Sequence, residues 1–315
     1  MKVAVTGVGG LLGKALTSLH VSLGDDVRGM VRDAGRAAIN LPGVQLFEHD
    51  LGTNADCLSE FFDGVDVVYH CAAELRDPAR MAATNVMGTQ RLLSAAAGRI
   101  GRWVQVSTVG VYGRPREGVI TETSRLAPAD AYAESKASAD TLVEKLSSTG
   151  GFEHVILRSC AVIGPEMQGR FLYRVIGLLS RGLFAPIGPP GSLVSLIPAA
   201  NVAHALHACA KLPQAAGRTY NLADQCTVEH LVEVCCDALG RQGPRWHLPE
   251  TPVRATARFA EWVAPGLLSQ AQIDVLTSRV RYSTERIRSE LGYNDVMKLD
   301  VVLRDLVGAW QGRSA

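Results

Sequence analysis

Tyr132 and Lys136 are the residues of this 315-residue chain whose types and spacing say most about chemistry. In the run Tyr132-Ala133-Glu134-Ser135-Lys136 a helix would carry the phenol and the ammonium on one face, where they can converge on one point. A free tyrosine has a pKa of about 10, too high for a base at neutral pH. A neighbouring ammonium stabilises the phenolate and lowers that value, as proton exchange with a substrate oxygen requires. Lys136 has donors to spare for a ribose hydroxyl. Upstream, Ser107-Thr108-Val109-Gly110-Val111-Tyr112-Gly113 closes an apolar run. A hydroxyl there can hydrogen-bond a carbonyl oxygen as it gains negative charge.

A second constellation lies near the start, in Thr6-Gly7-Val8-Gly9-Gly10-Leu11-Leu12-Gly13. Gly7, Gly10 and Gly13 let the chain turn tightly, approach a pyrophosphate and pack helix on strand. Gly9, Leu11 and Leu12 complete a turn whose helix N-terminus offers oriented N–H groups. The end of the next apolar run selects the dinucleotide. An acid there would bind a ribose 2′-hydroxyl and repel a 2′-phosphate, but that position holds Val31, followed by Arg32 and then Arg36. A guanidinium binds phosphate bidentately, so NADP(H) is favoured and NAD(H) is the runner-up. The plainer alternative makes Arg32 a solvated loop charge paired with Asp33.

These residues need a scaffold, and the pattern supplies one. Short apolar runs at 2–6, 26–31, 44–49, 65–70, 102–107 and 154–158 alternate with helical stretches at 11–23, 55–62, 79–97 and 131–147. Strands apolar throughout and separated by helices indicate a parallel sheet covered on both faces, the α/β doubly wound Rossmann fold. After Arg158 the rhythm breaks. A helix is predicted at 171–179, a Gly/Pro loop at 182–192, strands at 193–198 and 219–222, and helices near 201–211, 228–239, 252–263 and 283–291. The chain is expected to comprise a dinucleotide-binding domain at 1–160 and a smaller, irregular substrate lobe at 161–315, with about 193–225 returning to the sheet. Phe171, Leu172, Ile176, Phe184 and Ile187 of the lobe could line an apolar pocket or simply form its core.

Composition narrows the partners. Lys+Arg 32 against Asp+Glu 31 leaves no footprint for nucleic acid or an anionic membrane, so a small molecule is the expected partner. The 7 cysteines form no C-x-x-C pair and the histidines show no zinc spacing, so no metal is expected. No apolar stretch reaches the ~18 residues of a membrane span, and the first residues read as strand and turn rather than signal peptide. A cytoplasmic location is the expectation.

At these motifs the chain resembles the extended short-chain dehydrogenase/reductase superfamily, over nearly its whole length. Asp50-Leu51 is similar to that family's adenine-contacting acidic turn, and His70-Cys71-Ala72-Ala73 to its small-residue strand end beneath the cofactor. Asn85-Val86-Met87-Gly88-Thr89 is similar to its N-V-x-G-T helix, and the segment 157–165 to its R-P-x-x-V-x-G-P run. The same alignment places Val106, Ser159 and Val162 beside the cofactor. Aligning Val111-Tyr112-Gly113 on the family's V-Y-G makes Thr108, rather than Ser107, the catalytic hydroxyl. The resemblance implies hydride transfer at a nicotinamide, with Tyr132 as acid/base, Lys136 supporting it and Thr108 binding the reacting oxygen.

Asn201-Val202-Ala203-His204-Ala205 and the ending Leu291-Gly292-Tyr293 point within the superfamily to the dihydroflavonol-reductase and 3β-hydroxysteroid-dehydrogenase-like branch. Ser159 stands where the family usually has proline, as does Ala131 before the tyrosine. Val109-Gly110 replaces the Asp-Glu pair of the 4,6-dehydratases, and 198–200 lacks an acidic pair common in nucleotide-sugar enzymes.

The leading expectation is an NADP(H)-dependent enzyme interconverting a ketone and a secondary alcohol on a rather apolar small molecule. A nucleotide-sugar epimerase or reductase is the alternative, with Arg170, Arg174 and Arg181 as candidates for a diphosphate. A non-catalytic NADP(H)-sensing regulator is disfavoured because Tyr132 and Lys136 are both retained. Relatives dimerise through the helices at 79–97 and 131–147, so a homodimer is expected.

Overall fold

In the computed structural model, which describes residues 1–33, 41–53, 58–167, 170–263 and 269–314, the apolar runs assemble into one seven-stranded sheet. Its strands are β1 (Lys2–Thr6), β2 (Asp26–Val31), β3 (Val44–Glu48), β4 (Val67–His70), β5 (Arg102–Thr108), β7 (Glu153–Ser159) and β10 (Arg218–Leu222). Their order is β10-β7-β5-β4-β1-β2-β3, and every pairing is parallel. The chain runs outward from β1 in one direction to β3, then returns to β4 and runs the other way. That reversal puts the switch point between the ends of β1 and β4, where the crevice of such a sheet opens.

The strand pattern explains the layering. Val3, Ala4 and Val5 are all fully buried, with Val3 and Val5 in one hydrophobic cluster and Ala4 in the other, as period-2 alternation requires of a strand covered on both faces. Helices α1 (Leu11–Ser22) and α7 (Ala199–Lys211) belong to the first layer. Helices α2 (Ser59–Phe62), α4 (Gly88–Ala96) and α5 (Ala131–Gly150) belong to the second.

The helix expected at 79–97 is not uniform. Asp77 caps α3 (Pro78–Met81), accepting from Ala79 N–H at 3.0 Å, and a π turn over Ala82–Met87 follows before α4. The wide turn contains Asn85, which is buried.

The remaining strands form two smaller sheets. β8 (Ala161–Ile163), β9 (Leu193–Pro198) and β11 (Asp224–Thr227) make one, in the order β11-β9-β8, and β6 (Glu117–Ile120) pairs with β12 (Arg279–Tyr282) in the other. Of the stretch 193–225, therefore, only β10 joins the large sheet. β9 instead pairs antiparallel with β11 and parallel with β8, with Val194 in the lobe cluster and Ile197 in that of the large sheet.

Helices α6 (Arg170–Ser180), α8 (Val228–Ala238), α9 (Glu250–Val263), α10 (Gln270–Thr277) and α12 (Leu299–Ser314) gather about a separate cluster. Helix α11 (Glu285–Leu291) packs instead on the large sheet's core. Leu172, Ile176 and Ile187 are buried in the lobe cluster and form core, while Phe171 and Phe184 pack against it half-buried. No helix among the described residues is long and apolar enough to cross a membrane.

Candidate active site

The glycine turn sits at the switch point. Gly7 has φ +74°, and a Cβ there would come within 2.8 Å of Ala72 Cα, so this position needs glycine twice over. A Cβ on Gly13 would overlap the Gly7 carbonyl oxygen. Gly10 caps α1 with no side-chain bond, and no acidic side chain stands in the first turn. Leading N–H groups, exposed Gly9 and Gly10, and a turn packed so closely on Ala72 and Val8 that positions 7 and 13 admit no Cβ together fit a pyrophosphate.

A buried hydrogen-bond chain runs from this turn to the opposite side of the cleft. Thr89 Oγ1 donates to the Asn85 carbonyl at 2.7 Å, so it must accept from His70 Nε2 at 2.9 Å. His70 Nδ1 is then an acceptor for Thr6 Oγ1 at 2.8 Å, and Thr6 accepts the Ala72 N–H at 3.1 Å. One tautomer satisfies the chain. Burial pushes the His70 imidazole down to about 3, so it stays neutral.

Asn85 carries the chain onward. Its amide donates to the Glu74 carbonyl at 3.0 Å and to Ser135 Oγ at 2.9 Å, and accepts from Glu74 N–H at 2.7 Å. Ser135 Oγ donates to the Tyr132 carbonyl at 2.8 Å. The first turn of α5 is thus tied to the segment that follows β4.

Helix α5 begins at an Asp130 cap, which accepts from Ala133 N–H at 2.9 Å. Tyr132 is half-buried and Lys136 is buried. Asp140 follows one turn on, so three functional types stand at i, i+4 and i+8 of one face. The spacing alone could have marked Asp140. Its Oδ2 accepts from Ser107 Oγ at 2.8 Å and from Arg158 Nε at 3.2 Å. Arg158 also reaches Tyr112 OH at 3.0 Å, and Tyr112 OH donates to Asn221 Oδ1 at 2.8 Å.

These bonds separate the two hydroxyls at the end of β5. Ser107 is spent on Asp140. Thr108 Oγ1 accepts from Gly110 N–H at 3.0 Å, which leaves its own O–H to donate. Gly110 lies between Thr108 and Ala133, with a Cβ position 3.3 Å from Thr108 Oγ1 and 3.8 Å from Ala133 Cβ. The β5 end is therefore packed on the first turn of α5, beside Tyr132.

Electrostatics differ from the expectation in one respect. Burial pushes the Tyr132 phenol up to about 12, and the Asp140 and Asp130 carboxylates add in the same direction. Burial lowers Lys136, against the pull of Asp140. Desolvation thus raises the phenol and lowers the ammonium, opposite to the lowering of Tyr132 expected from spacing.

At the outer end, Asp50 Oδ1 accepts from Gly52 N–H at 2.8 Å and its Oδ2 pairs with Arg80 at 3.1 Å. Leu51 is buried, and its carbonyl accepts from Arg91. Arg32 stands 3.7 Å from Glu74 Oε2, a carboxylate with no motif to announce it. Arg36 lies outside the described residues. Cys71, Ala72, Ala73, Val106 and Val162 are half-buried, while Ser159 is buried with its Oγ 3.5 Å from the Ser107 carbonyl. Arg174 and Arg181 are exposed, and the side chain of Arg170 lies outside the described residues. No cluster of metal-ligating side chains occurs among the described residues.

The model of the NAD dependent epimerase/dehydratase family matches residues 3–223. The chain belongs to that family, and with it to the extended short-chain dehydrogenases/reductases, enzymes that work with a nicotinamide dinucleotide.

It is 30% identical over 313 residues to 4-hydroxy-2-methyl-3-oxo-4-farnesyl-3,4-dihydroquinoline-1-oxide ketoreductase from Stigmatella aurantiaca, covering 93% of this chain and 92% of that one. It is 27% identical to UDP-glucose 4-epimerase from Vibrio cholerae, covering 92% and 90%. In fold it matches UDP-glucuronic acid 4-epimerase from Bacillus cereus in complex with NAD, with a TM-score of 0.78 at 18% identity over 100% of both chains.

Proposed function

We propose that this protein is an NADP(H)-dependent reductase that interconverts a ketone and a secondary alcohol on a rather apolar small molecule. The observation that carries the reading is the division of labour at the β5 end. Ser107 is engaged with Asp140, while Thr108 keeps a donor beside the turn that bears Tyr132. The nicotinamide, when bound, supplies or accepts the hydride. Gly7, Gly9, Gly10, Leu11, Leu12 and Gly13 hold its pyrophosphate, Arg32 the 2′-phosphate, and Lys136 a ribose hydroxyl.

In the reductive direction Thr108 O–H binds the carbonyl oxygen and stabilises the charge that develops on it. Tyr132, held protonated by burial, donates its proton to that oxygen. Lys136 steadies the phenolate that remains. The farnesylated quinoline named for the ketoreductase relative supports an apolar substrate.

A second reading, a nucleotide-sugar epimerase, draws on the epimerase relative that spans nearly the whole chain. One experiment separates them: hydrophobic ketones with NADPH, followed by loss of nicotinamide absorbance, beside UDP-glucose followed by product analysis. Ketone-dependent NADPH consumption is expected. Tyr132→Phe should lower kcat by about 10²–10⁴ and Thr108→Val by about 10²–10³, with cofactor binding retained. Epimerised UDP-sugar without net NADPH consumption would select the second reading.

A further inference from the structure

We propose that Glu74 is the counter-charge of Arg32, and that it restrains the preference for a 2′-phosphorylated cofactor by competing with the phosphate for the guanidinium. This rests on Arg32 being the 2′-phosphate ligand. The acid that usually sets dinucleotide choice stands at the end of the second strand. Here that position is Val31, and the acid arrives from the end of β4 instead. Since β4 and β2 flank β1 in the sheet, both strand ends border the glycine turn from opposite sides.

The carboxylate is held in place. Glu74 Oε1 accepts the N–H groups of Leu75 at 3.1 Å, Arg76 at 3.0 Å and Asp77 at 3.3 Å. Asn85 clamps its backbone through both the N–H and the carbonyl. With Oε1 so engaged, Oε2 faces Arg32 Nη1 at 3.7 Å. The three backbone donors also keep Glu74 below the usual carboxylate range, with Arg32 adding to the effect, so it is ionised at neutral pH. Its side chain is only 15% exposed, whereas that of Arg32 is 59% exposed. The anion is the fixed member of the pair and the cation the movable one.

A 2′-phosphate must draw Arg32 away from this anion and then lie near it. A 2′-hydroxyl pays neither cost. The pair therefore brings the two cofactors closer in affinity than an unopposed arginine would.

The test is a fluorescence titration of NADPH and NADH into wild type, Glu74→Gln, Arg32→Gln and the double variant, with a thermal melt of each. Glu74→Gln keeps an oxygen to accept the backbone N–H groups, and it is expected to tighten NADPH about 5–10-fold while moving NADH less than about twofold. Arg32→Gln lies on the exposed side of the pair and should weaken NADPH about 10-fold or more. In the Arg32→Gln background the Glu74→Gln gain should shrink below about twofold, because the carboxylate acts through the guanidinium.

If Arg32→Gln leaves NADPH binding unchanged, the cofactor reading itself fails. If Arg32→Gln weakens NADPH while Glu74→Gln changes nothing, or gives the same gain with Arg32 already removed, the counter-charge proposal alone is overturned. A Glu74→Gln protein too unstable to titrate is replaced by Glu74→Ser with the same expected sign, and a loss of NADPH affinity there counts against the proposal.

Discussion

The inner and outer ends of the cleft are built from different materials. Along the inner path from Thr6 through His70, Thr89, Asn85 and Ser135 to Tyr132, the linking groups are neutral and mostly buried, and each hydroxyl proton has one assigned acceptor. At the outer end Arg80 meets Asp50 and Arg32 meets Glu74, with both guanidinium groups open to solvent. Buried polar groups must be paired, so the inner path admits one arrangement and holds the reacting groups to it. Exposed pairs add little to stability, which leaves them free to be redirected by a ligand.

The largest expected effect lies where a charge enters the inner end. Asp140 and Arg158 are both buried and paired at 3.2 Å, and Asp140 Oδ1 has no hydrogen-bond partner among the described residues. Burial lifts the Asp140 carboxyl above the usual carboxylate range even though Arg158, Lys136 and Ser107 pull it down. Removing one member leaves the other charged and uncompensated. Asp140→Ala should therefore cost about 3–5 kcal/mol in urea denaturation, and Asp140→Asn less. A loss below about 1 kcal/mol for Asp140→Ala would show that the inner end tolerates charge as well as the outer one does.

Next comes a pH dependence that His70 brings to the buried path. The unfolded imidazole of His70 takes a proton near its ordinary value of 6.5, whereas the folded one refuses it until about 3. A depressed folded value means the contribution is fully present above pH 6.5 and is lost as pH falls toward 3. The slope is about 1.4 kcal/mol per pH unit for one such group. His70→Asn removes the titrating ring, so its unfolding free energy should fall less steeply between pH 6.5 and 4.5, by roughly that amount per unit. Parallel slopes would mean that His70 is not held neutral.

What the sequence made legible follows the same division. The glycine turn and the Tyr132/Lys136 pair are each contained within a few residues, so their geometry is set by local turn and helix periodicity. The strands of the large sheet and the helices between them were equally readable, whereas the short strands β6, β8, β11 and β12 were not.

The partners of His70 were not readable, since Thr6 lies 64 residues away and Thr89 lies 19 away, and only the fold unites them. Glu74 escaped for a similar reason: nothing in its own segment points to Arg32. The buried face of α12, with Val302, Leu303, Leu306 and Val307, had the period of a helix and was within reach. The lobe's apolar residues had a pattern too, but pattern alone could not distinguish a core wall from a pocket wall.

The smallest expected effect sharpens the contrast from the outer side. Arg80 is 43% exposed and its partner Asp50 is 29% exposed, with Asp50 already accepting from Gly52 N–H. Their attraction is screened by solvent, and Asp50 keeps a backbone donor if the guanidinium is lost. Arg80→Ala should therefore change the unfolding free energy by less than about 1 kcal/mol, and raising salt should shrink even that difference. The measurement is urea denaturation of both proteins at low and at high ionic strength. A loss of about 3 kcal/mol that salt does not diminish would place Arg80 with the buried network, and the outer end could no longer be regarded as the adjustable half of the site.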